Sequence, residues 1–167
     1  MIEYAIMLLF PAAMAFAAAS DFITMTIPNR ISIILVAGFA LLAPLLGMPL
    51  ASVGIHLITG ITVLAVCFGL FAFGYIGGGD AKLLAAGALW MGWPETMTFL
   101  IYTSLFGGAL ALILVSLRKI PLPSGLIKYE FIDRLHIDGG DAPYGIAIAA
   151  GALITYPSSF WMQALAL

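Results

Sequence analysis

Apolar residues run along the chain in six blocks, at 4–20, 31–46, 55–73, 83–93, 97–117 and 144–161. A helix needs about 20 residues to cross the hydrocarbon core of a bilayer. Five blocks come close to that length, and the fourth is short. Residues that interrupt helices separate them. Pro28-Asn29 marks the first break, Gly47 and Pro49 the second, and Gly77-Gly78-Gly79 the third. Pro94 marks the fourth, while Pro121, Pro123 and Gly139-Gly140 mark the long fifth. No heptad, repeat or low-complexity tract stands out beyond alanine richness in the first block. The pattern predicts an all-α polytopic membrane protein, with six transmembrane helices in one membrane-embedded domain over 1–167.

Composition sharpens this picture. The chain is 63% hydrophobic and 8% charged, against about 25% charged residues in ordinary soluble domains. Mean hydropathy is +1.16. A soluble surface built from these residues would be one continuous apolar patch. A net charge of −2 with no basic run excludes nucleic acid as a partner. Cys67, the single cysteine, excludes an internal disulfide and a four-cysteine zinc module, and reads as a small core hydrophobe. Residues 1–20 end in signal-peptidase-like triplets, Ala15-Phe16-Ala17 and Ala17-Ala18-Ala19. The only charge there is Glu3, whereas a secretory signal opens with positive charge. The segment is therefore expected to stay as the first span.

Alternating six spans puts Arg30, Lys82, Arg118, Lys119, Lys128 and Arg134 all on one side. The positive-inside rule makes that side cytoplasmic. Glu3, Glu95 and both termini are then outside. Omitting the short fourth span would move loop 118–142, with most of the positive charge, to the wrong side. The fourth block, 83–93, makes only about 16 Å of helix. To cross, it must recruit Gly79, Asp80, Ala81 and Lys82, with Lys82 snorkelling to the interface.

Ionisable residues at membrane depth are costly and point to function. Two acids qualify: Asp21, ending the first span, and Asp80, opening the fourth. Topology places them at one level on one face. Two carboxylates in a partly dry cleft suit acid–base hydrolysis of an amide, one activating water and the other, protonated, polarising the carbonyl. The plainer reading of each is a solvated aspartate that caps or ends a helix. Gly77-Gly78-Gly79 is equally a tight turn with Asp80 as N-cap, or bare backbone against which an extended peptide can lie.

Three motifs resemble one family. Gly77-Gly78-Gly79-Asp80-Ala81-Lys82-Leu83 resembles the GxGD signature of membrane aspartic proteases. Asp21, followed shortly by Ile27-Pro28-Asn29, resembles the first-aspartate motif of type IV prepilin peptidases. Ala142-Pro143-Tyr144-Gly145 resembles the Pro-Tyr-Gly motif that opens that family's last helix. The nearest subgroup in pattern is the short peptidases of tight-adherence (Flp-type) pilus systems, the CpaA/TadV group. The resemblance implies a membrane aspartic endopeptidase of the bacterial inner membrane, its site facing the cytoplasm. It would remove the leader from a prepilin or pseudopilin after a glycine. It implies Asp21 and Asp80 as catalytic residues, and Gly77, Gly78, Gly79, Pro28, Asn29, Lys82, Pro143, Tyr144 and Gly145 as the active-site loops. Longer relatives carry an N-terminal region with paired CxxC motifs and an associated N-methylation activity, for which this sequence shows no counterpart. No metal or other cofactor is expected; the partners are the precursor and the bilayer.

Helix polarity assigns unequal roles within the pair. Asp80 opens a helix, where the positive end of the macrodipole favours the carboxylate, while Asp21 closes one. Asp80 is thus the expected base and Asp21 the expected acid. Asp133, Asp138 and Asp141 read as solvated loop residues, and His136 as a loop residue without a ligand partner. His56 opens the third span, remote from both aspartates. Arg30 and Lys82 read as topology anchors that also tune nearby carboxylates. Asn29 is placed to cap the second helix, Tyr144 and Trp161 to lie at interfaces. Gly60, Gly69, Gly107 and Gly108 are read as packing contacts. Two rivals are a small proton-coupled transporter using Asp21 and Asp80, and a non-catalytic pilus-assembly subunit. The first would need broken helices at the midplane and pseudo-symmetric halves, and neither pattern is present.

Overall fold

The structure is a computed structural model that describes residues 2–119, 135–136 and 142–165. The readings of Lys128, Arg134, Asp133, Asp138, Asp141 and the Pro121, Pro123 and Gly139-Gly140 breaks lie outside those residues. All regular structure among the described residues is helical: α1 (Ile2–Thr24), α2 (Asn29–Leu45), α3 (Leu50–Ala72), α4 (Gly78–Arg118), α5 (Tyr144–Thr155), a 3₁₀ turn (Tyr156–Ser158) and α6 (Phe160–Leu165). Three stretches are long and apolar enough to cross a membrane, Glu3–Thr24, Leu50–Ala72 and Gly78–Arg118; Asn29–Leu45 and Tyr144–Ser158 are shorter apolar helices. The exterior is rich in large apolar side chains, such as Leu8, Phe16, Leu41, Ile58 and Leu112. Lipid is the solvent that suits such a surface.

The fourth and fifth blocks join in α4 as two antiparallel arms. Gly87 of the first arm faces Phe99 of the second, where a Cβ on Gly87 would stand 2.9 Å from the ring. The break between the arms falls at Gly92 (φ 71, ψ 178), not at Pro94. Proline suits the first turn of a helix, where its missing N–H costs nothing. A backbone with φ at this value needs glycine. Thr96 Oγ1 donates to the Gly92 carbonyl at 2.6 Å, and the His56 ring lies so close that a Cβ on Gly92 would meet it at 2.7 Å. Gly92→Ala is accordingly expected to destabilise the protein by at least about 1–3 kcal/mol through backbone strain alone. An unchanged unfolding midpoint in detergent would refute that reading of the hinge.

Burial explains the short fourth block. From Leu83 to Gly92 every residue of the first arm is buried except Leu84, which is half-buried. A helix apolar all round belongs inside a bundle. It is enclosed by α3, α5, α2 and its own second arm. Gly60 of α3 meets Leu89 so closely that a Cβ would be 3.1 Å away, whereas Gly69 and Gly108 have nothing within 4 Å. Of the four packing glycines expected, only Gly60 and Gly107 serve that role.

At the end away from Asp80, α1 contributes Phe10 to an aromatic cluster with Trp90, Tyr156 and Trp161. Their polar tips are all satisfied. Trp90 Nε1 donates to Leu35 O, Trp161 Nε1 to Trp90 O, and Tyr156 Oη to Ile6 O. Trp161 is fully buried, which corrects its reading as an interfacial residue. The sixth block is also not one helix. It breaks at the turn containing Pro157 and resumes in α6. Cys67 is buried and free.

Candidate active site

α1 ends with Met25 in the left-handed region (φ 54), a conformation that commonly terminates helices. Hydroxyls hold the turn that follows: Ser20 Oγ donates to Thr26 O at 2.9 Å, and Thr24 and Thr26 hydroxyls pair at 2.7 Å. Asp21 lies in the last turn before it. Its side chain is buried, 6% exposed, and Oδ2 accepts the Gly145 N–H at 2.7 Å. Gly145 is the second residue of α5, which begins after Pro143 without a side-chain cap. Asp21 therefore satisfies one of the open amides at the start of α5, from across 124 residues. A Cβ on Gly145 would stand 2.9 Å from both Cβ and Oδ2 of Asp21.

Asp80 is the third residue of α4, and Gly77 (φ −71, ψ 146) is the N-cap. Of the two readings of the glycine run, the tight turn would have Asp80 as the cap itself; Gly77 takes that position instead. Asp80 Oδ2 folds back so that a Cβ on Gly77 would be 2.8 Å away. A carboxylate in a helix's first turn lies in the favourable field of the dipole. The neighbouring glycines have separate partners. A Cβ on Gly78 would meet the Phe71 ring at 3.3 Å, and one on Gly79 would meet the Ile27 Cβ at 3.1 Å. The space that side chains would take here is filled by the chain itself.

The other motif residues tie the same region together. Lys82 Nζ donates to Asn29 Oδ1 at 2.8 Å, so Lys82 is tethered to α2. Asn29 does not cap α2; Pro28 holds the N-cap position and no side chain caps it. With Ile27 against Gly79, these contacts join the α1–α2 turn to the start of α4. Tyr144 places its ring on Gly107 of the second arm, 3.1 Å from where a Cβ would be. Asp80, Leu84, Thr103, Ser104, Gly107 and Tyr144 then line a cleft of about 300 Å³. Each carboxylate has one relation to the start of α5. Asp21 binds the Gly145 amide, and Asp80 shares a cleft with Tyr144.

Two other cavities are larger. One of about 590 Å³ lies by His56, Trp93 and Glu95 at the hinge end. Another of about 670 Å³ is an apolar groove between α2, α3 and α4. Neither contains an aspartate, so size does not identify the site. His56 is a structural residue in this fold: Nδ1 donates to Leu89 O at 2.7 Å and the ring packs on Phe39. Arg118 Nε donates to Leu135 O at 2.9 Å. Thr103 and Ser104 had no sequence signal, because uncharged residues inside an apolar block look like ordinary helix.

Fold and site together define a helical membrane protein with one aspartate, Asp80, in a small cleft. The model of the type IV leader peptidase family matches residues 8–112, and the chain belongs to that family. Membership makes it a peptidase. No curated protein and no solved structure matches the chain. The matched range includes Asp21 and Asp80 and stops short of Pro143-Tyr144-Gly145.

The fit at Gly79 carries a test. Gly79→Val would drive a side chain into Ile27 and push the α1–α2 turn away from α4. It is expected to abolish peptide cleavage while leaving membrane insertion intact. Undiminished cleavage by a well-inserted variant would show that this close approach is dispensable.

Proposed function

We propose that the protein removes the leader peptide from type IV prepilins of the Flp class at the cytoplasmic face of the inner membrane. Asp21 and Asp80 are the catalytic pair in this reading. The observation that carries it is the pair of contacts at the start of α5, Asp21 on the Gly145 amide and Asp80 in a cleft shared with Tyr144. The Asp80 carboxylate takes a proton from water, and the resulting hydroxide attacks the scissile carbonyl carbon. Asp21, protonated on Oδ1 because Oδ2 is held by Gly145 N–H, gives that proton to the carbonyl oxygen as the tetrahedral intermediate forms. As the C–N bond breaks, the proton held by Asp80 passes to the leaving amine and Asp21 takes its proton back from the hydroxyl of the intermediate, so the pair is ready for another water.

Gly77, Gly78, Gly79, Pro28, Asn29, Lys82, Pro143, Tyr144 and Gly145 act as the frame that fixes the two carboxylates. In the proposed topology both termini lie outside and loop 118–142 is cytoplasmic, since all six Lys and Arg then share one side. The test is co-expression with a type IV prepilin, comparing the unmodified chain with Asp80→Asn. The leader is expected to be lost with the former and retained with the latter. Leader removal by Asp80→Asn at the unmodified rate would overturn the mechanism.

A further inference from the structure

We infer that the hydrophobic helix of the precursor docks on one face of the second arm of α4, that of Met97, Ile101, Ser104 and Gly108. The inference rests on the leader-peptidase reading and adds where the substrate lies. These four residues recur at i, i+4, i+7 and i+11, one side of a helix, and all four are exposed. Together they extend about 16 Å along the axis. At the far end Ser104 and Gly108 become walls of the Asp80 cleft. A helix lying here stays in the bilayer while the residues ahead of it enter the cleft beside the carboxylate.

Geometry separates this face from the larger groove. Asp80 and Leu84, one helical turn apart, face the cleft. Lys82, Ala85, Ala86 and Leu89 line the groove between α2 and α3. Leu89 is nine residues beyond Asp80, about half a turn round the helix axis. The first arm of α4 therefore stands between that groove and the cleft face of Asp80. A helix seated in the groove would present its scissile bond to the wrong side of α4.

The occupant is a helix rather than loose lipid because the face runs unbroken into the cleft and narrows there to small residues. Ser104 and Gly108 allow another backbone to come close. Gly108 in particular has nothing within 4 Å of a Cβ position. Its neighbour Gly107 is already covered by Tyr144.

Gly108 makes a useful variant, since a Cβ placed there has nothing within 4 Å. In cells co-expressing a type IV prepilin with its leader and first hydrophobic helix, Gly108→Leu is expected to slow cleavage by about tenfold or more, the scale of an overpacked contact. Ala40→Leu, in the α2–α3 groove, should leave the rate within about twofold. A photo-cross-linking residue at Ile101 should capture the precursor, and one at Ile61, in the groove, should not. Capture at Ile61 alone, or full-rate cleavage by Gly108→Leu, would overturn the docking face while leaving the peptidase intact. Capture at Ile101 without any cleavage by the unmodified chain would retain the docking face and remove the peptidase reading. Lipid adducts at Ile101 in place of precursor would show that the face is ordinary lipid-facing surface.

Discussion

Asp21→Asn is expected to slow leader cleavage by about 10²–10⁴-fold, the range of a lost acid–base group, while the purified protein unfolds at nearly its original midpoint. Asparagine keeps a carbonyl oxygen in place to accept the Gly145 N–H, which Asp21 Oδ2 now holds at 2.7 Å. It cannot give up or take a proton. Asp21→Ala differs in a way that separates two roles. It removes the proton and also leaves a buried amide at the start of α5 without a partner, which costs about 1–3 kcal/mol. Both variants should be inactive, but only alanine should be clearly less stable. The comparison is a cleavage assay with the prepilin alongside thermal unfolding in detergent. Full activity in Asp21→Asn would reduce Asp21 to a helix cap supplied from another helix. That is the plainer role the sequence also allowed, and the Gly145 contact makes it concrete.

Legibility in the sequence followed the kind of signal each residue carries. Asp21 and Asp80 stood out because charge at the end of an apolar block is expensive and therefore rare. Gly77 to Gly79 stood out as a run. Their separate partners did not, since Phe71 and Ile27 come from other segments that reach these glycines only after packing. The same limit applied to Asp21 and Gly145, 124 residues apart. Only the family resemblance put the two in one active-site region, and the hydrogen bond is a property of the fold.

Local chemistry misled in places where two residues compete for one role. Pro94 is the conspicuous breaker between the fourth and fifth blocks, yet Gly92 makes the turn, because only glycine takes a φ of 71 readily. Pro94 sits comfortably just inside the second arm. Asn29 has the chemistry of an N-cap, but it is spent on Lys82 instead. Trp161 has the composition and position of an interfacial aromatic. A partner for its indole N–H at Trp90 O lets it be wholly buried, and no pattern of apolar residues shows that partner. Apolar blocks report length and burial well; they do not report which face meets which.

Gly145→Ala is the second change expected to have a large effect, and it tests the frame of the site rather than its acids. A methyl group on Gly145 would stand 2.9 Å from Asp21 Cβ and Oδ2 and 3.1 Å from Cγ. Three atoms of one short, buried side chain cannot all yield, so α5 or the carboxylate must move. Overpacking of this kind costs about 1–3 kcal/mol, and a displacement near 1 Å in a positioned group can reduce turnover by about 10²-fold. The control is Gly69→Ala, also glycine to alanine within a helix, where nothing lies within 4 Å. There the lower backbone entropy of alanine should leave stability equal or slightly higher, by up to about 1 kcal/mol. Cleavage by Gly69→Ala should be unchanged. If Gly145→Ala cleaved the prepilin at the rate of Gly69→Ala, the position of Asp21 against α5 would not govern turnover, and catalysis would have to tolerate a carboxylate free to shift.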